Sequence, residues 1–365
     1  MGRVGINQVR SSSGAQVFSE ILDQPQCWIE CFKTLREQGA LAKIRQKFPG
    51  GREWVFTGCG SSYYIAQVAA ASWTLATGGR ARALPASEIL LFPELALAGS
   101  TPIQPVLISR SGRTSETLRA GEFLKAKHQV PVLGAVCEPD SPLERMAAAT
   151  LALPAADDQS MVVTRAFTST LLALQAVAAT YADHSDVEPM IHVLAEHIIR
   201  HLRTLPAQVE EFVGAHDLRN FVFLGQGLYY GVAQEAMLKA MEMSCSYAEP
   251  FHTLEFRHGP KAILSPETLV TFFLSESGYQ AERAVLEEVK KLGAMTLAVA
   301  NRADEATRRA TDFLIELRLD VPEFYRPAAA IIPAQLLAYN LAKKKGMDAD
   351  RPPHLSRVVN LTADS

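Results

Sequence analysis

"VFTGCGSSYYIAQVA", Val55 to Ala69, is answered without a gap by "VFLGQGLYYGVAQEA", Val222 to Ala236. Val, Phe, both Gly, Tyr, Ala, Gln and the final Ala coincide. A second pair follows in the same order, "ISRSG" (Ile108 to Gly112) against "LSESG" (Leu274 to Gly278). Short segments seldom agree this well by chance, so two matched pairs in one order mark a duplicated unit.

Each unit alternates apolar runs with helical patterns. In the first, "EWVFTG", "ARALPA", "PVLISRS", "VPVLGAV" and "ATLALPA" are separated by helical stretches such as Tyr64 to Ala76 and Ser115 to Lys127. The second repeats this with "NFVFLG", "SCSYAEP", "LVTFFLS", "AMTLAVA" and "DFLIEL". The alternation predicts an α/β fold of two tandem doubly wound parallel sheets, with helices on both faces of each. The expected boundaries are a helical N-terminal arm over 1–50, a first unit over 51–187, a second over 188–350 and a C-terminal tail over 351–365, broken by Pro352 and Pro353. The seam is expected in the polar stretch Ala182 to Met190, followed by a long helical connection through Val213.

With 365 residues, 48% of them hydrophobic, the chain is long enough for two cores of ordinary size. Its 36 basic and 39 acidic residues, net charge -3, give no reason to expect nucleic acid or a membrane surface as partner. The N-terminus lacks the apolar core of a signal peptide, so a cytoplasmic protein with a small-molecule ligand is expected. Five cysteines without CxxC spacing argue against a disulfide framework and against zinc. Cys27 and Cys31 read as packed thiols, and neither metal nor cofactor is expected.

In open α/β sheets, ligands bind where strands end and loops turn into helix N-termini. "GCGSS", Gly58 to Ser62, and "SRSGRT", Ser109 to Thr114, sit at two such ends. Gly60 and Gly112 let the chain turn, while Ser61, Ser62, Ser109, Ser111 and Thr114 offer hydroxyl donors beside helix N-termini, a combination that suits a phosphate. One such turn is explained by helix capping; two converging on one crevice exceed what capping requires. The second unit's "GQGLY" and "LSESG" lose hydroxyls and gain Glu276, which predicts one phosphate site per chain.

The second unit carries what the first lacks. In "AQEAMLKAMEMSCSYAEPFHTLEFRHGP", Ala233 to Pro260, helical spacing puts Glu235, Lys239 and Glu242 on one face. Such pairs usually sit in water, but here the helix starts at a crevice-facing "GQG" turn and its other faces are too apolar for an exposed helix. A lysine between two carboxylates can keep one as an ionised partner while the other serves as a mobile base. His258, fixed in a Gly-Pro turn, is suited to proton transfer, whereas His252 reads as a packing residue.

These residues resemble the sugar isomerase (SIS) domain family, in particular the isomerase half of glucosamine-6-phosphate synthase and the stand-alone amino-sugar-phosphate deaminases and isomerases. The similar motifs are "GCGSS", "SRSGRTSET", "MVVTRAFTS", "QEAMLKAMEMS", "EFRHGP" and "PAQLLAYNLAKKKGMDADRPPHL", in family order from about residue 50 onward. The resemblance implies two nested units related by a pseudo-twofold, a homodimer and a sugar 6-phosphate substrate. It assigns Gly60, Ser61, Ser62, Ser109, Arg110, Ser111 and Thr114 to substrate and phosphate contacts. Glu242 would move the proton between C1 and C2, supported by Glu235 and Lys239, and His258 would open the ring from across the dimer interface.

Three departures shape the expected reaction. Met1 is not followed by the nucleophilic cysteine of a glutaminase half. Arg110 and Arg113 replace Gln and Glu of the synthase pattern, adding cations suited to an anionic substrate. Arg357 stands where the synthase isomerase has a tail lysine, so a substrate contact is expected there without a Schiff base. An amino-sugar 6-phosphate deaminase/isomerase, which needs no enzyme lysine at the carbonyl, fits these changes. A plain aldose-ketose isomerase, a fructosamine-phosphate deglycase and a non-catalytic sugar-phosphate sensor are the alternatives.

Overall fold

Ten parallel strands form, nine at the predicted apolar runs and one displaced from 244–250 to Ala248–His252 because Ser244 still closes a helix and Cys245 turns the chain, in a computed structural model that describes residues 14–48, 50–99, 102–183 and 187–359. The first thirteen residues of the arm, the centre of the expected seam (184–186) and the last six residues of the tail lie outside the described residues. In the first unit β1 (Glu53–Gly58), β2 (Ala81–Pro85), β3 (Ile103–Ile108), β4 (Leu133–Val136) and β5 (Ala149–Ala152) form one sheet in the order β2-β1-β3-β4-β5. In the second β6 (Asn220–Gly225), β7 (Ala248–His252), β8 (Thr268–Phe273), β9 (Met295–Ala300) and β10 (Phe313–Glu316) repeat it, ordered β10-β9-β8-β6-β7. Strand order reverses between β1 and β3 and between β6 and β8, so each sheet opens a crevice at the carboxyl ends of those two strands.

Ten helices of at least eight residues are present among the described residues. They are α1 (Ala15–Glu37), α2 (Ala40–Lys47), α3 (Ser61–Thr77), α4 (Ser115–His128), α5 (Arg165–Tyr181), α6 (Val187–His201), α7 (Leu205–Ala215), α8 (Leu228–Ser244), α9 (Tyr279–Lys291) and α10 (Ile332–Lys344). The fold is α/β, with two tandem units. The repeat read from sequence is visible in the backbone: Gly60 (φ 55, ψ -129) opens α3 and Gly227 (φ 54, ψ -119) opens α8. A side chain at either position would be strained.

Helices α3 and α8 cross where Gly231 leaves room, since a Cβ there would lie 2.6 Å from Val68 Cγ2 and 2.9 Å from the Tyr64 carbonyl oxygen. This crossing brings the two units' first helices together and places each beside the other unit's crevice.

The expected arm is less an appendage than a structural member. Val17, Ile21, Trp28, Cys31 and Leu35 of α1 are fully buried in the core that spans both sheets, and Trp28 Nε1 donates to Thr168 Oγ1. Pro25 removes the donor that would have reached the Ile21 carbonyl, and Gln24 Nε2 supplies one instead at 2.9 Å. The tail closes the other end: Asp350 accepts from the N–H groups of Gln16 and Val17, and Asp348 from Gly14. Carboxylates at a helix N-terminus satisfy otherwise bare donors and oppose the dipole.

The strand ladders refine the second sequence match. Ser109 lies two residues beyond Leu107, which pairs with Thr57; in the second unit Leu274 lies two residues beyond Phe272, which pairs with Leu224. Thr57 and Leu224 are repeat equivalents, so Leu274 rather than Ser275 is the positional counterpart of Ser109. The serines match in sequence and are offset by one residue in space.

Candidate active site

The hydroxyl turns meet as their positions demand, because β1 and β3 are neighbours. Gly58 ends β1 where a Cβ would lie 2.9 Å from the Ile108 carbonyl oxygen and 2.7 Å from Ser62 Cβ, so only glycine permits this close approach. Gly112 (φ 62) turns the chain after β3, and a Cβ there would clash with Ser141 Oγ. Ser109 and Ser111 are buried, Ser109 Oγ lies 3.1 Å from Thr114 Oγ1, and Ser111 Oγ accepts from the Arg113 N–H at 3.2 Å. Gly60, Ser61 and Ser62 form the opposite lip at the start of α3.

The acid-base helix serves a different crevice from the one its own turn faces. Glu242 stands about 20 Å along α8 from Gly227, at 1.5 Å per residue, so it is remote from the β6/β8 crevice. The contact instead runs to the first unit: Ser61 Oγ donates to Glu235 Oε1 at 3.1 Å and accepts from Lys239 Nζ at 3.4 Å. Lys239 Nζ also lies 3.2 Å from Glu235 Oε1 and 2.5 Å from Glu242 Oε2. The side chains of Glu235 and Lys239 are fully buried, while 17% of the Glu242 side chain is exposed. The charged helix of the second unit therefore touches the hydroxyl turn of the first through Ser61.

The electrostatics divide the triad. Burial pushes the Glu235 carboxyl up to about 7; the Lys239 charge opposes this and the Glu242 charge adds to it. Its Oε2 is buried without a hydrogen-bond partner, as suits a carboxyl that can carry a proton. Burial alone would lower the Lys239 pKa, but Glu235 and Glu242 outweigh it and hold the ammonium charged. Attraction at 3.2 Å is about 5 kcal/mol at an effective dielectric of 20, and the desolvation of both ions offsets much of it. The arrangement's main effect is to fix where Glu242 points.

His258 is not joined to this cluster within one chain. It lies exposed between two short 3-10 turns, and among the described residues no hydrogen bond or ion pair connects its side chain to the triad. His252 ends β7 and stacks on Tyr230 at 3.7 Å, with burial lowering its pKa.

The arginines are held internally. Arg113 pairs with Glu138, and Arg110 donates to the carbonyls of Ser160, Met161 and Arg357. The Arg357 guanidinium lies 2.6 Å from Asp157 Oδ2 and 3.6 Å from Glu138 Oε1. The tail thus lies over the carboxyl ends of β3, β4 and β5, anchored by Asp157 and Glu138, two residues that sequence reasoning did not single out. Asp158 and Glu20 were equally silent. Asp158 accepts from the N–H groups of Thr164, Arg165 and Ala166 at the start of α5, and burial with the neighbouring Glu20 raises its pKa to about 6. A polar segment followed by "TRAF" was the available sign of a cap there.

Two stretches of the chain, residues 52–180 and 216–344, each match the SIS domain model, one per sheet. The chain belongs to the SIS domain family. Over 94% of its length it is 28% identical to glutamine–fructose-6-phosphate aminotransferase (isomerizing) of Pyrococcus horikoshii and 25% identical to that of Bacteroides thetaiotaomicron. It spans only 57% and 58% of those relatives. Among solved structures, a glucosamine-6-phosphate deaminase of Thermotoga maritima superimposes with a TM-score of 0.77 at 27% identity, covering 95% of this SIS chain and all of the other. A tagatose-6-phosphate ketose/aldose isomerase of Escherichia coli gives a TM-score of 0.82 over 92% of this chain and 95% of its own, and at 23% identity it speaks for the fold alone. Among the described residues no helix is long and apolar enough to cross a membrane.

Proposed function

We propose that this SIS protein is an enzyme that converts an amino-sugar 6-phosphate, of the glucosamine or galactosamine type, to a ketose 6-phosphate and ammonia. The observation that carries the reading is the Ser61–Glu235–Lys239–Glu242 chain of contacts, which sets a carboxylate held by a buried ammonium beside the hydroxyl cup.

The phosphate is received by the hydroxyls of Ser62, Ser109, Ser111 and Thr114, fixing the far end of the sugar so that C1 and C2 face Glu242. Glu242 takes the C2 proton of the open-chain aldose and returns it at C1. The product is a C2 imine; water adds at C2 and ammonia leaves, so one water is consumed for each ammonia released. Lys239 positions the base, and Glu235, titrating near neutrality, can accept or return a proton within the triad. His258, exposed and apart from the triad, would reach the ring oxygen from a second subunit, which makes the active form a homodimer. Arg110 and Arg357 act through the tail they hold over the cup.

The test is to supply glucosamine 6-phosphate, galactosamine 6-phosphate, fructose 6-phosphate and a fructoselysine-type phosphate separately, following ammonia, free amine and sugar product. Ammonia and ketose in equal amounts from an amino-sugar phosphate are expected. Interconversion of aldose and ketose without ammonia would make the protein a plain isomerase, and release of free lysine a deglycase.

A further inference from the structure

The second crevice is not an empty remnant. The turns after β6 and β8, together with α3 and β2 of the first unit, line a cleft of about 740 Å³. Helix α3 enters this cleft as α8 enters the first. By the gap-free repeat, its lining residues Ala70, Ala71, Thr74 and Leu75 are counterparts of Met237, Leu238, Met241 and Glu242. Leu75 thus stands where the base stands in the other crevice, with Ser72 for Lys239 and Val68 for Glu235. The cleft has the position of a substrate site and none of its acid-base groups.

Its anion cradle is already filled. Glu282, from the first turns of α9, is 1% exposed; its Oε2 accepts from the Ser275 N–H and its Oε1 from Ser275 Oγ, each at 2.7 Å. Ser275 Oγ in turn accepts from the Gly278 N–H at 2.9 Å. In the first unit Glu116 stands at the same spacing, four residues after the turn glycine, and leaves its Oε2 unpartnered, while the serine and threonine hydroxyls of that cup pair with each other. Around the filled cradle, Glu276 is ion-paired to Arg326, and Glu323 accepts from the Glu276 N–H at 2.6 Å. A phosphate would meet three carboxylates here.

What remains open is largely apolar and uncharged, with the Glu323 carboxylate as the one acidic group of its lining. Ala70, Ala71 and Leu75 form an apolar wall; Ser277 and Thr74 offer hydroxyls, and the buried Gln226 Oε1 has no hydrogen-bond partner. Apolar C–H contact combined with a few fixed polar groups is the chemistry that holds a polyhydroxylated ring. We propose that the β6/β8 cleft is a non-catalytic site for an unphosphorylated sugar, in which the Glu282 carboxylate stands where a phosphate would otherwise bind. The inference rests on the first crevice being a sugar-phosphate site, because the second is read as its altered copy.

Saturation-transfer NMR on the full chain with glucose, galactose, glucosamine and galactosamine tests it. Signal transfer to at least one of these sugars is expected. It should survive Ser109→Ala/Ser111→Ala in the first cup and vanish in Leu75→Trp, which fills the second cleft from an exposed position. No transfer to any of the four, or transfer that persists in Leu75→Trp, overturns the proposal. The cradle has its own readout: Glu282→Ala in the Ser109→Ala/Ser111→Ala background should gain thermal stabilisation by inorganic phosphate, and a folded variant with no such gain removes the carboxylate's assigned part. If sugars bind as described while no amino-sugar phosphate is turned over, the proposed reaction fails and this site stands.

Discussion

The two units have one topology and opposite equipment. The first keeps hydroxyls at its strand ends and has Val68, Ser72 and Leu75 on its crossing helix; the second keeps Glu235, Lys239 and Glu242 on that helix and fills its own cradle with Glu282. Since the helices cross at Gly231, each unit's helix belongs to the other unit's crevice. In the proposed function one crevice holds both cup and base, and its mate holds neither.

The harshest way to break this asymmetry is to remove the shared cation. Lys239→Met leaves a fully buried Glu235 and a partly buried Glu242 without their counter-ion, and urea unfolding should show a loss of about 3–5 kcal/mol. Its counterpart Ser72, which accepts from Gln175 Nε2 at 3.1 Å, should cost only about 1 kcal/mol on conversion to alanine. Equal losses at the two positions would mean that the helices are not specialised.

The cups should differ next. Ser109→Ala or Ser111→Ala should weaken substrate binding by about 1–3 kcal/mol, read as a raised KM with the fold intact. Ser275→Ala should leave KM unchanged, because its partner is Glu282. A smaller effect concerns pH. The Glu235 carboxyl holds its proton up to about 7 in the folded chain, above the ordinary 4.5 of a free glutamate. Between those values the folded state binds more protons than the unfolded one, so this group's contribution to stability is greatest at low pH and is lost as pH rises through the window. Unfolding free energies measured from pH 4.5 to 7 should decline less steeply in Glu235→Gln than in the parent; identical slopes would return Glu235 to an ordinary carboxylate.

Much of this was legible in sequence. Most strand runs, such as β1 and β8, form where β-branched and aromatic residues cluster between turn residues, whereas β2 (ARALP) has neither and is fixed by its pairing with β1; Gly60 and Gly227 announce equivalent backbone conformations. The face shared by Glu235, Lys239 and Glu242 follows from helical spacing alone. What spacing could not give is the crevice this face serves, because that depends on the Gly231 crossing, a contact between elements far apart in the chain. The serine matched to Ser109 slipped by one residue because turn length, unlike motif content, is set by the ladder. Glu282 was hidden as an ordinary acidic residue of an amphipathic helix. Arg357 was expected at the substrate, and its pairing was not legible because its partners Asp157 and Glu138 come from other loops.

Proton exchange at the sugar tests the joint crevice most directly. In deuterated water, with the amino-sugar phosphate of the proposed reaction, NMR should show the parent exchanging the C2 proton and Glu242→Gln doing so at least about a hundredfold more slowly, with binding retained. Glu242→Gln keeps the shape and removes the basicity. Exchange at the parent rate in that variant would contradict the assignment, and with it the claim that the second unit's helix supplies the base for the first unit's cup.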